Sequence, residues 1–183
     1  VDHLICFAVK ANSNLAILNL LAKNGAGFDI VSGGELRRVI AADGDPKKIV
    51  FSGVGKTSEE IKLAIENNIL AFNIESEDEL TRIQEIAKAF SKKASISIRV
   101  NPDVNANTHP YISTGLKENK FGVSEESALN LYKKAKKMDS ILIKGIDCHI
   151  GSQITDLKPF EDSVKKLIAL IDKLEVEGIK IKH

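Results

Sequence analysis

Short apolar runs alternate with amphipathic stretches along almost the whole chain, and that beat limits the fold more than any other feature. The patterns predict strands over Leu4–Val9, Phe28–Val31, Lys48–Phe51, Leu70–Ile74, Ser95–Val100 and Ile141–Ile150, with Ile179–His183 opening a seventh. Helix patterns fall between them over Ser13–Asn24, Leu36–Ala42, Ile61–Asn67, a stretch carrying Leu80, Ile83, Ala87 and Phe90, then Ser124–Met138 and Asp156–Glu177. Gly25 is a stop signal for the first helix, and Ser32 with Glu35 and Thr57 with Glu60 have capping-box spacing. Ser76–Glu79 caps the fourth helix in the same way. Strand–helix units joined by short connections predict an α/β fold with a parallel sheet. Strands apolar almost throughout fit a sheet covered on both faces.

Two closures satisfy this pattern, a doubly wound open sheet and a (β/α)8 barrel. No Gly-x-Gly-x-x-Gly follows the first strand, which counts against a dinucleotide-binding sheet. A barrel needs eight strands. Residues 1–183 therefore read as a partial barrel domain, about the first six βα units and the start of the seventh strand. Such a piece alone has two open sheet edges, and is expected to be inactive and poorly stable.

Composition excludes several classes of function. The formal net charge of +1, with acids and bases interspersed, leaves no footprint for nucleic acid or membrane surfaces. No apolar stretch approaches the roughly 20 residues that span a bilayer, and no signal-peptide pattern is present. Cys6 and Cys148 lie in strand-like runs without metal-ligand spacing. They read as buried reduced thiols of a cytoplasmic protein, and no metal is expected.

Barrel chemistry gathers at the C-terminal ends of strands, and here those ends carry Lys10, Asp29 to Ser32, Ser52-Gly53, Glu75, Arg99 to Asn101, and His149 to Ser152. Lys10 follows an apolar run, where burial favours a neutral, nucleophilic amine; a strand-end lysine reaching for solvent fits the same pattern. Arg99, inside Ser97-Ile98-Arg99-Val100, needs a buried partner. Gly151-Ser152 offers backbone N–H and hydroxyl donors to an anion. Asp29 alone also fits a turn, His149 alone a core histidine, and Glu35 and Glu79 helix caps. Gly53-Val54-Gly55-Lys56-Thr57 ends like a phosphate loop, but Val50 stands where the first glycine belongs. Cys148 and His149 are adjacent strand residues facing opposite ways, so they do not form a nucleophile–base pair. The Asn101–Gly122 stretch lacks periodicity and reads as a lid or substrate-facing loop.

Taken together, Ala8-Val9-Lys10-Ala11-Asn12, Gly27 to Glu35, Arg99-Val100-Asn101-Pro102-Asp103, His109 to Lys117 and Gly145 to Gln153 resemble the diaminopimelate decarboxylases. These belong to the alanine-racemase-like, fold-type III pyridoxal-phosphate enzymes. The resemblance covers essentially the whole chain in order and spacing. It implies that Lys10 forms a Schiff base with pyridoxal 5'-phosphate, that His149 stacks on the pyridine ring, and that Ser152 lies by the phosphate. It also implies that Asp29, Glu35 and Arg99 surround the cofactor, with Glu35 and Glu75 as active-site support. The implied reaction is decarboxylation of meso-2,6-diaminopimelate to L-lysine and CO2, the last step of lysine biosynthesis, in a cytoplasmic homodimer. The family's glycine-rich phosphate loop, its Glu-Pro-Gly-Arg-like motif and its C-terminal β-domain have no counterpart in residues 1–183. Three other readings compete: a sister decarboxylase of another basic amino acid or carboxylated polyamine, a pyridoxal-phosphate-binding protein without turnover, and a non-binding scaffold fragment. The His109–Lys117 and His149–Gln153 motifs favour the diaminopimelate branch.

Overall fold

Six short strands form in the computed structural model, which describes residues 2–104 and 121–183. They are β1 (Cys6–Ala8), β2 (Gly27–Ile30), β3 (Ile49–Phe51), β4 (Ala71–Ile74), β5 (Ala94–Arg99) and β6 (Ile141–Asp147). The helices are α1 (Leu15–Lys23), α2 (Gly33–Ala41), α3 (Ser58–Glu66), α4 (Glu77–Ala89), α5 (Glu125–Lys136) and α6 (Lys158–Val176). Most begin on a side chain that accepts from a first-turn N–H: Asn14, Ser32, Thr57, Ser76 and Ser124. Of the predicted capping boxes, the Thr57–Glu60 pair closes in both directions. At α2 and α4 the third-position glutamate reaches one residue further back, Glu35 to the Val31 N–H at 2.7 Å and Glu79 to the Glu75 N–H at 2.8 Å.

Every strand pairs in parallel, in the chain order β1-β2-β3-β4-β5-β6. Crossovers between parallel strands are right-handed, so an order without reversal sends every helix to one face. Successive helices accordingly touch, α1 with α2, α2 with α3, α3 with α4, and α5 with α6. This is the single winding of a barrel wall; a doubly wound sheet reverses its strand order part-way.

In-register parallel pairing also sorts the side chains. Ile30, Phe51, Phe72 and Ile96 form one continuous row, and Ile74, Ile98 and Ile146 another. With Phe28 and Ile49 they face the helices, and all of these except Ile146 are at most 1% exposed. Leu36 and Val39 from α2, Ile61 from α3, Leu80 and Ile83 from α4, and Leu131 and Tyr132 from α5 join the same core. The opposite rows read Ala8, Asp29, Val50, Ala71, then Asn73, Ser97, Gly145, then Arg99, Asp147. The sheet is thus apolar on the helix face and increasingly polar toward its C-terminal end on the other. The expectation of strands apolar throughout holds for one face.

A bulge sets the orientation of β6. Ile96 pairs with Ile143 but Ser97 pairs with Gly145, so Lys144 is an extra residue and alternation restarts after it. Gly145, Asp147 and, two residues on, His149 turn to the polar face, while Cys148 turns toward α6 with its Sγ 3.5 Å from Ser163 Oγ. The Tyr132 hydroxyl bridges the irregularity, donating to the Gly145 carbonyl at 2.8 Å and accepting from the Ile98 N–H at 3.4 Å. Burial pushes its ionisation far above the ordinary tyrosine range. Residues 179–183 form no assigned strand, but run along β6, with Lys182 N–H donating to Lys144 and Ile146 N–H to His183. A Cβ on Gly145 would sit 2.5 Å from the His183 carbonyl oxygen, so this close approach requires glycine. Replacing Tyr132 by Phe should cost about 1–3 kcal/mol, the penalty for leaving buried backbone groups unpaired. The expected observation is a lower urea midpoint at unchanged slope; an unchanged midpoint would mean that strand pairing alone holds the bulge.

Candidate active site

The C-terminal ends of all six strands open onto one cavity of about 500 Å³. Its lining includes Lys10, Asp29, Glu75, Arg99, His149 and Ser152, so six of the seven expected site residues come together. Glu35 does not line it; its carboxylate is held by the Val31 N–H above α2.

Lys10 stands just past β1, in a 3₁₀ turn over Val9–Ala11. The strand stops at Ala8, short of the predicted end, and the Lys10 side chain is exposed, not sheathed in apolar groups. No hydrogen bond or ion pair holds its amine among the described residues. Across the sheet, Asp29 is oriented by a short relay: the Asn73 amide donates to Ser52 Oγ at 3.0 Å, and the Ser52 hydroxyl donates to Asp29 Oδ1 at 2.6 Å. Ser52 stands at a predicted strand exit and Asn73 inside a predicted strand, and neither is among the expected cofactor-binding residues. Their signal is register, since each lies two residues beyond a member of the Asp29 row.

Arg99 has the buried partner that its strand position demands. Its Nη1 donates to Glu75 Oε1 at 3.1 Å, and Nε lies 3.9 Å from Asp147 Oδ2. The Phe121 ring packs 5.7 Å from the guanidinium carbon. The second oxygen of Glu75 accepts the Gly122 N–H at 3.1 Å. Gly122 has φ +86°, and a Cβ there would lie 2.8 Å from the Arg99 carbonyl oxygen. Asn101 N–H donates to Val123 and Val123 N–H to Arg99, which pins both flanks of the predicted lid beside β5. Residues 105–120 of that lid, with the His109–Lys117 motif, lie outside the described residues.

Three carboxylates, Asp29, Glu75 and Asp147, share this rim. Burial pushes Asp147 up to about 6; Arg99 opposes the shift, while Asp29 and Glu75 reinforce it. His149 is held below the ordinary imidazole range by burial and by the Arg99 and Lys10 cations. Its Nδ1 accepts the Gly151 N–H at 3.0 Å, which leaves the proton of the neutral ring on Nε2. Gly151, at φ +132°, turns the chain so that Ser152 lines the cavity. The donor set therefore suits an anionic aromatic aldehyde: a primary amine with no partner among the described residues, an imidazole and a hydroxyl-bearing turn. Among the described residues no His, Cys, Asp and Glu cluster could hold a metal ion.

Comparison with known proteins places this arrangement. The pattern of the pyridoxal-dependent decarboxylase family, pyridoxal binding domain, matches residues 1–183, and the chain belongs to that family. Its parallel six-stranded sheet with alternating helices is of the α/β class, as in the alanine-racemase-like decarboxylases.

Within the family, the similarity is to diaminopimelate decarboxylases. The enzyme of Pseudomonas aeruginosa is 58% identical over 183 residues, which make up 100% of this chain and 44% of that protein. The diaminopimelate decarboxylase of Helicobacter pylori, solved in complex with L-lysine, superposes with TM-score 0.94 at 50% identity, over 97% of this chain and 45% of that one. The lysine decarboxylase of Selenomonas ruminantium superposes with TM-score 0.85 at 26% identity, over 97% and 44%. The chain thus spans less than half the length of these relatives.

The raised Asp147 carboxyl has a consequence for stability. The folded state holds this proton more tightly than the unfolded chain, whose aspartates titrate near 3.9. Its contribution is complete below about 4 and is lost as the pH rises through about 6. Asp147→Asn should therefore gain stability over the parent at pH 8 and show little difference at pH 4, measured as urea midpoints of both proteins. Equal midpoints at pH 8 would contradict this assignment.

Proposed function

We propose that the protein containing this chain is a pyridoxal-phosphate-dependent decarboxylase that converts meso-2,6-diaminopimelate to L-lysine and CO2. The observation that carries the reading is the Lys10 amine, unpaired among the described residues, beside an imidazole face and a carboxylate fixed by its own relay. The 50–58% identity to diaminopimelate decarboxylases supports this substrate over that of the lysine decarboxylase, at 26%. Within the reading, residues 1–183 form part of a barrel domain, the full protein is a homodimer, and its place is the cytoplasm. No described helix is long and apolar enough to cross a membrane.

Each residue has a definable task. Lys10 would supply the amine that holds the cofactor aldehyde, His149 would meet the ring, and Ser152 with the turn beside it would meet the phosphate. Arg99, anchored by Glu75, would keep positive charge at the cavity, and Asp29 holds its position through Ser52 and Asn73. When bound, pyridoxal phosphate supplies the electron sink for the pair left on the α-carbon as CO2 departs. The protein's own contribution is orientation, since a displacement near 1 Å costs about 10²-fold in rate.

Borohydride reduction of the full-length protein with pyridoxal phosphate, followed by peptide mapping, tests the assignment. The expected result is a pyridoxyl group on Lys10. Labelling confined to other lysines, or none, would overturn it. Lys10→Ala should retain the parent's melting behaviour and lose measurable lysine formation from meso-diaminopimelate, whereas full activity would refute the role of this amine.

A further inference from the structure

We propose that Lys56, which lies behind the cavity, is a positioning residue that sets the orientation of both Asp29 and Arg99. The inference rests on the cofactor-binding reading above. Lys56 belongs to the segment that resembles a failed phosphate loop, and nothing in the described chemistry yet uses it. It is 4% exposed, and its ammonium donates in three directions: to the Gly53 carbonyl at 2.6 Å, the Asn73 carbonyl at 2.8 Å and Glu79 Oε1 at 2.6 Å. All three of its protons are therefore engaged.

Two hydrogen-bonded lines leave this point and end in the cavity. One starts at Asn73, whose backbone Lys56 holds and whose side chain runs through Ser52 to Asp29. The other starts at Glu79, whose second oxygen takes the Glu75 N–H; the Glu75 carboxylate then meets Arg99 and Gly122. One buried cation thus ties the exit of β3, the exit of β4 and the start of α4 together, directly behind the groups that face the ligand. Stability alone is a weak reason to bury such a pair, because well-packed apolar replacements are often as stable. An ammonium bonded in three directions does what no apolar side chain does: it fixes three backbone segments relative to one another. Site groups need placement to about 0.5 Å, and this connection delivers it to the anionic and the cationic side of the cavity together.

The decisive comparison uses full-length protein carrying Lys56→Met with Glu79→Gln, which removes both buried charges and keeps side-chain length. Melting is followed without cofactor, and pyridoxal phosphate affinity by fluorescence titration. The proposal expects the double variant to fold cooperatively, with melting lowered by the unpaired Gly53 and Asn73 carbonyls. At temperatures where it is fully folded, it should bind pyridoxal phosphate about tenfold or more weakly, the scale seen when residues supporting bound groups are lost. Parent-like affinity in the folded double variant overturns it. So does a double variant that fails to fold cooperatively, because the pair then holds the fold and not the site. A parent that itself binds no pyridoxal phosphate refutes the functional reading instead, which keeps the two failures apart.

Discussion

Unreversed parallel pairing is the constraint from which the remaining geometry follows. Because the strands lie in chain order and crossovers keep one hand, all six helices must cover a single face. Register then carries the same division from strand to strand. Phe, Ile and Leu side chains collect on the helix side, and short or polar groups are left for the other. The site is the C-terminal fringe of that second face, so its residues need no local motif to meet.

What the fringe assembles is a balance of charges on a stiff support. Glu75 neutralises Arg99 at 3.1 Å and also takes a backbone N–H, which leaves Asp147 the less well paired acid, held up to about 6 by its burial. Lys10 and His149 line the same cavity, and burial, with the Arg99 and Lys10 cations, holds the imidazole below its ordinary range. Behind the fringe, Lys56 and Glu79 form a pair almost sealed from solvent, with side chains 1% and 8% exposed. The burial of ionic groups at the strand exits, and not in the apolar core, matches a structure in which polar networks orient ligands while hydrophobic rows hold the fold.

Much of this was legible beforehand. The βα beat, the caps at Ser32, Thr57 and Ser76, and the row of Lys10, Asp29, Arg99, His149 and Ser152 at strand ends all follow from local pattern. The misses share a cause. The capping spacing of Ser76 and Glu79 is visible in sequence, but the partners of Glu79, Lys56 and Glu75 N–H, are contacts across the fold. Lys56 reads locally as a remnant of a loop motif because two of its three partners, Asn73 and Glu79, lie 17 and 23 residues further along the chain. Ser52, Asn73 and Asp147 are ordinary polar residues until register aligns them with Asp29 and Arg99. The apolar run predicts Lys10 at a buried strand exit, yet β1 ends two residues earlier and a 3₁₀ turn brings the amine to the open cavity.

By itself, the sequence determined the fold class and which residue types stand at the strand ends, because periodicity and turn chemistry act over a few neighbours. Only the tertiary structure decided which way β6 faces. Without the extra residue at Lys144, alternation would carry Cys148 to the cavity and His149 to the helices; the bulge reverses them, and Tyr132 from α5 holds it. That choice depends on pairing between β5 and β6 and on a hydroxyl brought in from a separate helix. Side-chain direction in a strand is a local property, but the registration of one strand on another is not.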